Sequence, residues 1–313
     1  MKANDFYMYI NTQQTAQEYL FTCYREMADR EAKSYQNSQT FMYYLDHGQK
    51  FYANGRGADD VVKPVLYFYG MTHLLKAYLL TVRPDYPEST SMLAHGVTVR
   101  KRKKKQYTFM DDEVKLQRQG LFPYFSEHLY SLKNISYEKL RMDVLFSTLP
   151  EMEDFYSLEK KAKMIVVGTS DSSLLKFPLS LLDSYHLTDK AFIHRVEGYL
   201  PAIKQVDMDN DSISIRLERS LDSSHSPFVT HMYNKKVYFP LHRDHFLPFP
   251  EVMSHYLILF NLSMLCRYEA EWWGDLLLSR PDRDFPYISR FLEVTSEKIP
   301  ELIGEELLRK YGK

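Results

Sequence analysis

The segment that most constrains the fold is EVMSHYLILFNLSMLCRYEAEWW, residues 251–273, because it is apolar on nearly every side of a helical wheel. A helix of that kind has no polar face to turn to solvent, so other elements must surround it. Lipid is not the expected surrounding. The stretch from Tyr256 to Cys266 is interrupted by Asn261 and Ser263, and it falls well short of the roughly 20 residues needed to cross a bilayer. A second segment, VVKPVLYFYGMTHLLKAYLLTVRP, has the same character; Asp59 and Asp60 precede it and Pro84 closes it. Pro64 is tolerated there because the first helical turn needs no N–H from it.

Around these two segments the pattern is mostly helical. Asn11 or Thr12 is placed to cap a helix carrying Ala16, Leu20, Cys23, Tyr24 and Met27, and a stripe of Phe41, Tyr44, Leu45, Gly48 and Tyr52 defines another. DDEVKLQRQ reads as a short charged helix ending at Gly120, and residues 122–132 and 137–148 continue the helical pattern. From about 162 the period changes. AKMIVVGT is a short apolar run, Ile213, Ile215 and Leu217 alternate with Ser214, Arg216 and Glu218, and FVTHMYNKKVYFP reads as a hairpin turning at Asn234–Lys235. Helix returns after Pro248 and Pro250, and two last helices are expected near 284–298 and 300–311, the second started by Pro300. The fold class expected is therefore mainly α with a small antiparallel β section (α+β). Its organisation is a helical domain at 1–160, a β-containing section at 161–247, and C-terminal helices at 248–313 that pack back on the helical core.

Charge and cysteine usage narrow the function classes. The net charge is −1, so any attraction for nucleic acid or membrane has to be local. Cys23 and Cys266 are the only cysteines and both sit in apolar helical patterns, which excludes a zinc site built on Cys pairs and fits a reducing compartment. The opening MKANDFYMYI is too polar for a signal peptide, so a cytoplasmic protein without a membrane segment is expected. No P-loop, Gly-rich dinucleotide turn, Gly-x-Ser-x-Gly elbow or HExxH is present.

Three stretches, KPVLYFYGMTHLLKAYLL (63–80), YPESTSMLAHGVTVRKRKKKQYTFMDDEVKLQRQGLF (86–122) and HYLILFNLSMLCRYEAEWW (255–273), closely resemble the YaaC-like proteins of Gram-positive bacteria, over the whole chain. That resemblance implies no particular reaction. Its genomic neighbourhood with the gene for inosine-monophosphate dehydrogenase implies a link to purine nucleotide metabolism, with that enzyme as a possible protein partner. Within it, YFYGMTHLLKAYLL is similar to the second helix of HEPN-type four-helix bundles, which implies HEPN-like helical elements at both ends of the chain. The superfamily includes ribonucleases, nucleotide-binding modules and structural partners. The ribonuclease signature pairs an Arg with a His a few residues on, whereas Arg267 is followed by Tyr268 through Gly274 with no His.

Six consecutive basic residues, Arg100, Lys101, Arg102, Lys103, Lys104 and Lys105, form the strongest local feature. They read either as a solvated loop balanced by Asp111, Asp112 and Glu113 or as a strip for the phosphates of a nucleotide or RNA, with Tyr107 and Phe109 as stacking rings. His95, just upstream, either holds a phosphate or is a hydrogen-bonded structural residue, and Gly96 would let backbone approach a ligand. His73 and Lys76 share a helix face, Lys76 being read most simply as a snorkelling side chain. Arg267 either pairs with Glu271 or faces an anionic ligand. HRDH (242–245) is read as a polar loop rather than half a metal site, and Asp207, Asp209, Asn210 and Asp211 as a turn rather than a calcium loop. No cofactor or metal is expected. The function expected is a non-catalytic nucleotide- or RNA-binding or regulatory module. The alternatives are a regulatory partner of a metabolic enzyme and a HEPN-type ribonuclease.

Overall fold

The computed structural model describes residues 1–100, 107–133, 135–222 and 225–312. Its chain forms two compact units, Met1–Met142 together with His255–Lys313, and Asp143–Ser254. The fold is mainly α, with strands confined to three small antiparallel sheets of three strands each among the described residues.

The first unit opens with α1 (Ala3–Tyr9), α2 (Gln13–Cys23), α3 (Arg30–Gly57) and α4 (Lys63–Leu80). Thr12 caps α2: its hydroxyl accepts from Thr15 N (3.2 Å), while the Thr15 hydroxyl accepts from Thr12 N (3.3 Å), so two otherwise unpaired amides at the helix start are satisfied reciprocally. Helices α3 and α4 form a hairpin that approaches closely. A Cβ on Gly48 would meet Leu74 at 2.6 Å and one on Gly70 would meet Tyr52 at 2.8 Å. Close backbone approach of this kind fixes which residues of α3 face which residues of α4.

Next come β1 (Val97–Val99), β2 (Glu113–Leu116), α5 (Leu121–Tyr130) and β3 (Lys139–Arg141). The segment DDEVKLQRQ is thus a strand where its charge pattern reads as a helix, and residues 139–141 are a strand inside what reads as helix 137–148. The reason is period two. Glu113 and Lys115 face solvent while Val114 is fully buried, paired with Val99 on one side and Leu140 on the other. Strands this short carry too few alternations to outweigh helix-forming residues until their partners are known.

The second unit begins within α6 (Met142–Phe146) and continues through α7 (Glu153–Leu158), β4 (Met164–Thr169), β5 (Leu174–Pro178), α8 (Ser180–Tyr185), α9 (Asp189–Glu197), β6 (Ile203–Met208), β7 (Ser212–Leu217), β8 (Val229–Thr230) and β9 (Lys236–Pro240). Strand orders are β4-β9-β8 and β5-β7-β6. Phe177, Tyr185, Phe192, Ile215 and Phe239 centre its core. The β8–β9 hairpin closes through Lys235 in the left-handed region (φ 57°), with Asn234 Oδ1 accepting from Lys236 N at 2.9 Å. Buried Glu153 accepts from the amides of Lys163 (3.1 Å) and Met164 (3.0 Å), which satisfies the backbone at the start of β4.

The chain then enters α10 (Glu251–Tyr268), α11 (Ala270–Ser279) and α12 (Asp284–Tyr311). Every residue from 251 to 263 is buried, as its apolar circumference requires. In place of two helices meeting at Pro300, α12 is continuous through it. Proline removes the N–H that would bond the carbonyl four residues back, which is that of Ser296. Arg56 from α3 donates to that carbonyl at 3.1 Å, and the carbonyl of Pro300 itself accepts from Tyr7 OH at 2.9 Å. Arg56 thus supplies the donor that the proline removes, and Tyr7 ties the same turn to α1.

Candidate anion-binding site

His95 is held by its own backbone. Gly96 (φ 78°) and Gly120 (φ 118°) lie back to back, so close that a Cβ on Gly120 would fall 2.4 Å from Gly96 N. Both conformations are ones that L side chains rarely adopt. Through this contact the start of α5 clamps the loop: Leu121 N donates to Ala94 O (2.7 Å), Phe122 N to His95 O (3.1 Å) and Gln117 N to Gly96 O (3.0 Å). Tyr256 OH from α10 also donates to His95 O, at 2.9 Å. The close approach anticipated at Gly96 is therefore filled by the chain itself and not by a ligand. The half-buried imidazole lies 4.9 Å from the Phe68 ring, 5.7 Å from Phe260 and 6.3 Å from Tyr69, centre to centre. Burial, followed by the positive charges of Arg267 and Lys76, pushes its pKa below the usual histidine value.

Arg267 occupies the last turn of α10. Its Nε donates to Ser263 O at 2.8 Å, its Nη2 lies 3.4 Å from Ser263 Oγ, and its guanidinium sits over the Tyr268 ring at 5.3 Å. The ion pair with Glu271 anticipated from their spacing is not formed. Helix α10 stops at Tyr268 and Glu269 departs from helical geometry (φ −122°, ψ 50°) before α11 begins, so the four-residue spacing no longer places the two on one face. Among the described residues no carboxylate forms a salt bridge with Arg267.

Lys76 is half-buried on α4 with Nζ 5.7 Å from the Tyr44 ring centre, and burial lowers its pKa. It too has no carboxylate partner among the described residues. His73, one turn earlier, stacks on Phe51 (5.8 Å, 14°) and lies 5.3 Å from His47 and 5.8 Å from Tyr44. Its Nδ1 is buried without a partner. Burial, then Lys76 and His47, hold its pKa at about 4. Lys76 therefore acts on His95 and His73 alike, and Arg267 on His95. Cations from α4 and α10 thus both bear on His95, which lies among the Phe68, Phe260 and Tyr69 rings.

Of the basic run, Arg100 is exposed just past β1, and Lys101, Arg102, Lys103, Lys104 and Lys105 lie outside the described residues. The segment after it is anchored. Tyr107 OH donates to Asp112 Oδ2 (2.7 Å), as does Asn261 Nδ2 of α10 (2.9 Å), and Phe109 N donates to the buried carboxylate of Asp284 at the start of α12. Phe109 is fully buried and so is not placed to stack a base, while Tyr107 is half-buried edge-on to Trp272 at 5.0 Å. Asp111 pairs with Arg141 (2.9 Å) and Glu113 with Lys139 (3.1 Å).

Elsewhere, His245 Nε2 faces Lys163 Nζ at 3.3 Å, and burial with the Lys163 and His242 charges holds the His245 pKa at about 4. Asp209 Oδ1 accepts from the amides of Asp211 and Ser212 (2.9 and 2.8 Å), an Asx-type turn joining β6 to β7. Cys23 and Cys266 are free, half-buried thiols that burial pushes up to about 11, so they are poor nucleophiles near neutral pH.

Fold and site together define a mainly helical α+β protein in which Lys76 and Arg267 have no carboxylate partner among the described residues. The model of the YaaC-like protein family matches residues 8–307, and the chain belongs to that family. No curated protein and no solved structure matches it. No helix among the described residues is long and apolar enough to cross a membrane.

Proposed function

We propose that the protein is a non-catalytic binding module for a phosphorylated ligand, a nucleotide or RNA, held by His95, Arg267 and the basic strip Arg100 to Lys105. The observation that carries this reading is the pairing of Arg267 and Lys76 with no carboxylate among the described residues, beside a half-buried imidazole. Lys76 is half-buried, and such a cation gains most from an anionic partner because solvent screens it least, while Arg267 is exposed and open to a ligand. Half-buried Tyr69, 6.3 Å from the His95 ring, adds a partly accessible ring beside it. Purine nucleotides are the first ligands to test, given what the family resemblance implies about purine metabolism.

The test is a thermal-shift screen against nucleotides and short RNAs at two salt concentrations, since a ligand of the native state raises the melting temperature by mass action. The reading expects a shift that shrinks as salt rises and is reduced when Lys103, Lys104 and Lys105 are replaced by alanine. No shift with any of these ligands would contradict it and move the weight to a protein partner.

A second reading, a metal-independent ribonuclease, is favoured by one observation: the half-buried imidazole of His95 lies 5.7 Å from the Phe260 ring of α10, the helix that carries Arg267, and the positive charge of Arg267 lowers its pKa. RNA cleavage by the purified protein, lost in Arg267→Ala, would replace the binding reading with this one.

A further inference from the structure

We propose that the α3–α4 hairpin carries a phosphate subsite formed by Lys76, His73 and His47, adjoining His95. It deepens the reading above and rests on it. Three groups able to donate to an anion converge here from two helices whose mutual register is fixed by the close approach at Gly48 and Gly70. Lys76 Nζ lies near the Tyr44 ring, and the His73 ring is 5.3 Å from His47. No carboxylate neutralises them among the described residues: Asp46, beside His47 in sequence, is paired with Lys50 at 2.8 Å.

The chemistry of His73 favours an oxyanion. Its Nδ1 is buried without a partner and accepts no hydrogen bond. A buried N–H left unbonded is costly, so the neutral ring keeps its proton on Nε2, the nitrogen that is not sealed off. That Nε2–H and the Lys76 ammonium are both donors, as a phosphate requires and as a metal cation would not tolerate. The groups that titrate or carry charge around His73 are Lys76 on its own helix and Tyr44 and His47 on α3, with His95 beyond Lys76. None is acidic at neutral pH, so a bound phosphate is the one anionic group at the site and opposes the positive charge of Lys76 that helps hold His73 down at about 4.

The experiment uses inorganic phosphate as the probe and follows the histidine ring signals of the full chain by NMR, His47, His73 and His95 being assigned with single Gln variants. Phosphate is expected to move the His73 and His47 signals and to raise the apparent pKa of His73 by about one unit or more, the size of effect a close opposite charge has. Lys76→Met, which keeps the aliphatic stem, is expected to weaken phosphate binding about tenfold or more. Phosphate that shifts His95 while leaving His73 and His47 unmoved overturns the subsite and leaves the nucleotide-binding reading standing. Unchanged phosphate affinity in a folded Lys76→Met protein also overturns it.

Discussion

Replacing Gly120 by alanine is expected to lower the unfolding free energy by about 3–5 kcal/mol, the sum of backbone strain at a positive φ and overpacking against an unyielding neighbour. Ordinary glycine-to-alanine exchanges cost far less, because the new methyl usually meets a side chain that moves. Here the methyl would fall 2.4 Å from Gly96 N and 2.5 Å from Gly96 Cα, and Gly96 is itself held by its bond from Gln117 N. Neither side of the contact can retreat without breaking the hydrogen bonds from the Leu121 and Phe122 amides to the carbonyls of Ala94 and His95. The same substitution should therefore weaken any ligand that uses His95, since the ring is positioned through that backbone. Urea denaturation of the variant checks the first effect. A cost below about 1 kcal/mol, the ordinary size of a surface substitution effect, would mean that the two segments are not locked together as described.

Asp284→Ala is expected to cost a similar amount, about 3–5 kcal/mol, because it strands buried backbone donors. Asp284 is 1% exposed and accepts from the amides of Phe109 and Met110, so the carboxylate is what ties the end of the basic segment to α12. Burial raises its pKa above the ordinary aspartate value. The native state then binds this proton more tightly than the unfolded chain does. The contribution of the group is thus fully present below the unfolded pKa of about 3.9 and is lost as pH rises through the raised native value. Asp284→Asn, which keeps an acceptor without the charge, should remove that decline, so the stability difference between variant and parent should change in the variant's favour as pH rises from about 4. A difference independent of pH would contradict the assignment.

The parts legible in the sequence were those decided locally. Helices α4 and α10 could be read because nearly every side of each is apolar, a property of one segment alone. Strand β2 could not, because Val114 becomes a core residue only when Val99 and Leu140 flank it, and a strand of four residues carries too few alternations for its period to be read alone. The continuity of α12 across Pro300 depends on Arg56, which lies 240 positions away from the Ser296 carbonyl it serves. The site shows the same division. His95 and Arg267 stand out as polar residues at the edge of apolar segments. The Arg267–Glu271 pairing failed because a helix break at Glu269 leaves no mark in the side-chain pattern. Convergence of His47, His73 and Lys76 follows from the facing register of α3 and α4, which only the packed hairpin reveals.

On the function proposed above, the cations beside His95 recognise phosphate. The most direct test is calorimetric titration of the wild-type protein and of Arg267→Ala with a purine nucleoside monophosphate and with the matching nucleoside. The phosphate is expected to strengthen binding to the wild type by about tenfold to a hundredfold, the range for charge-assisted hydrogen bonds, with most of this difference lost in Arg267→Ala. Equal affinities for nucleoside and nucleotide, or a phosphate preference untouched by Arg267→Ala, would contradict it.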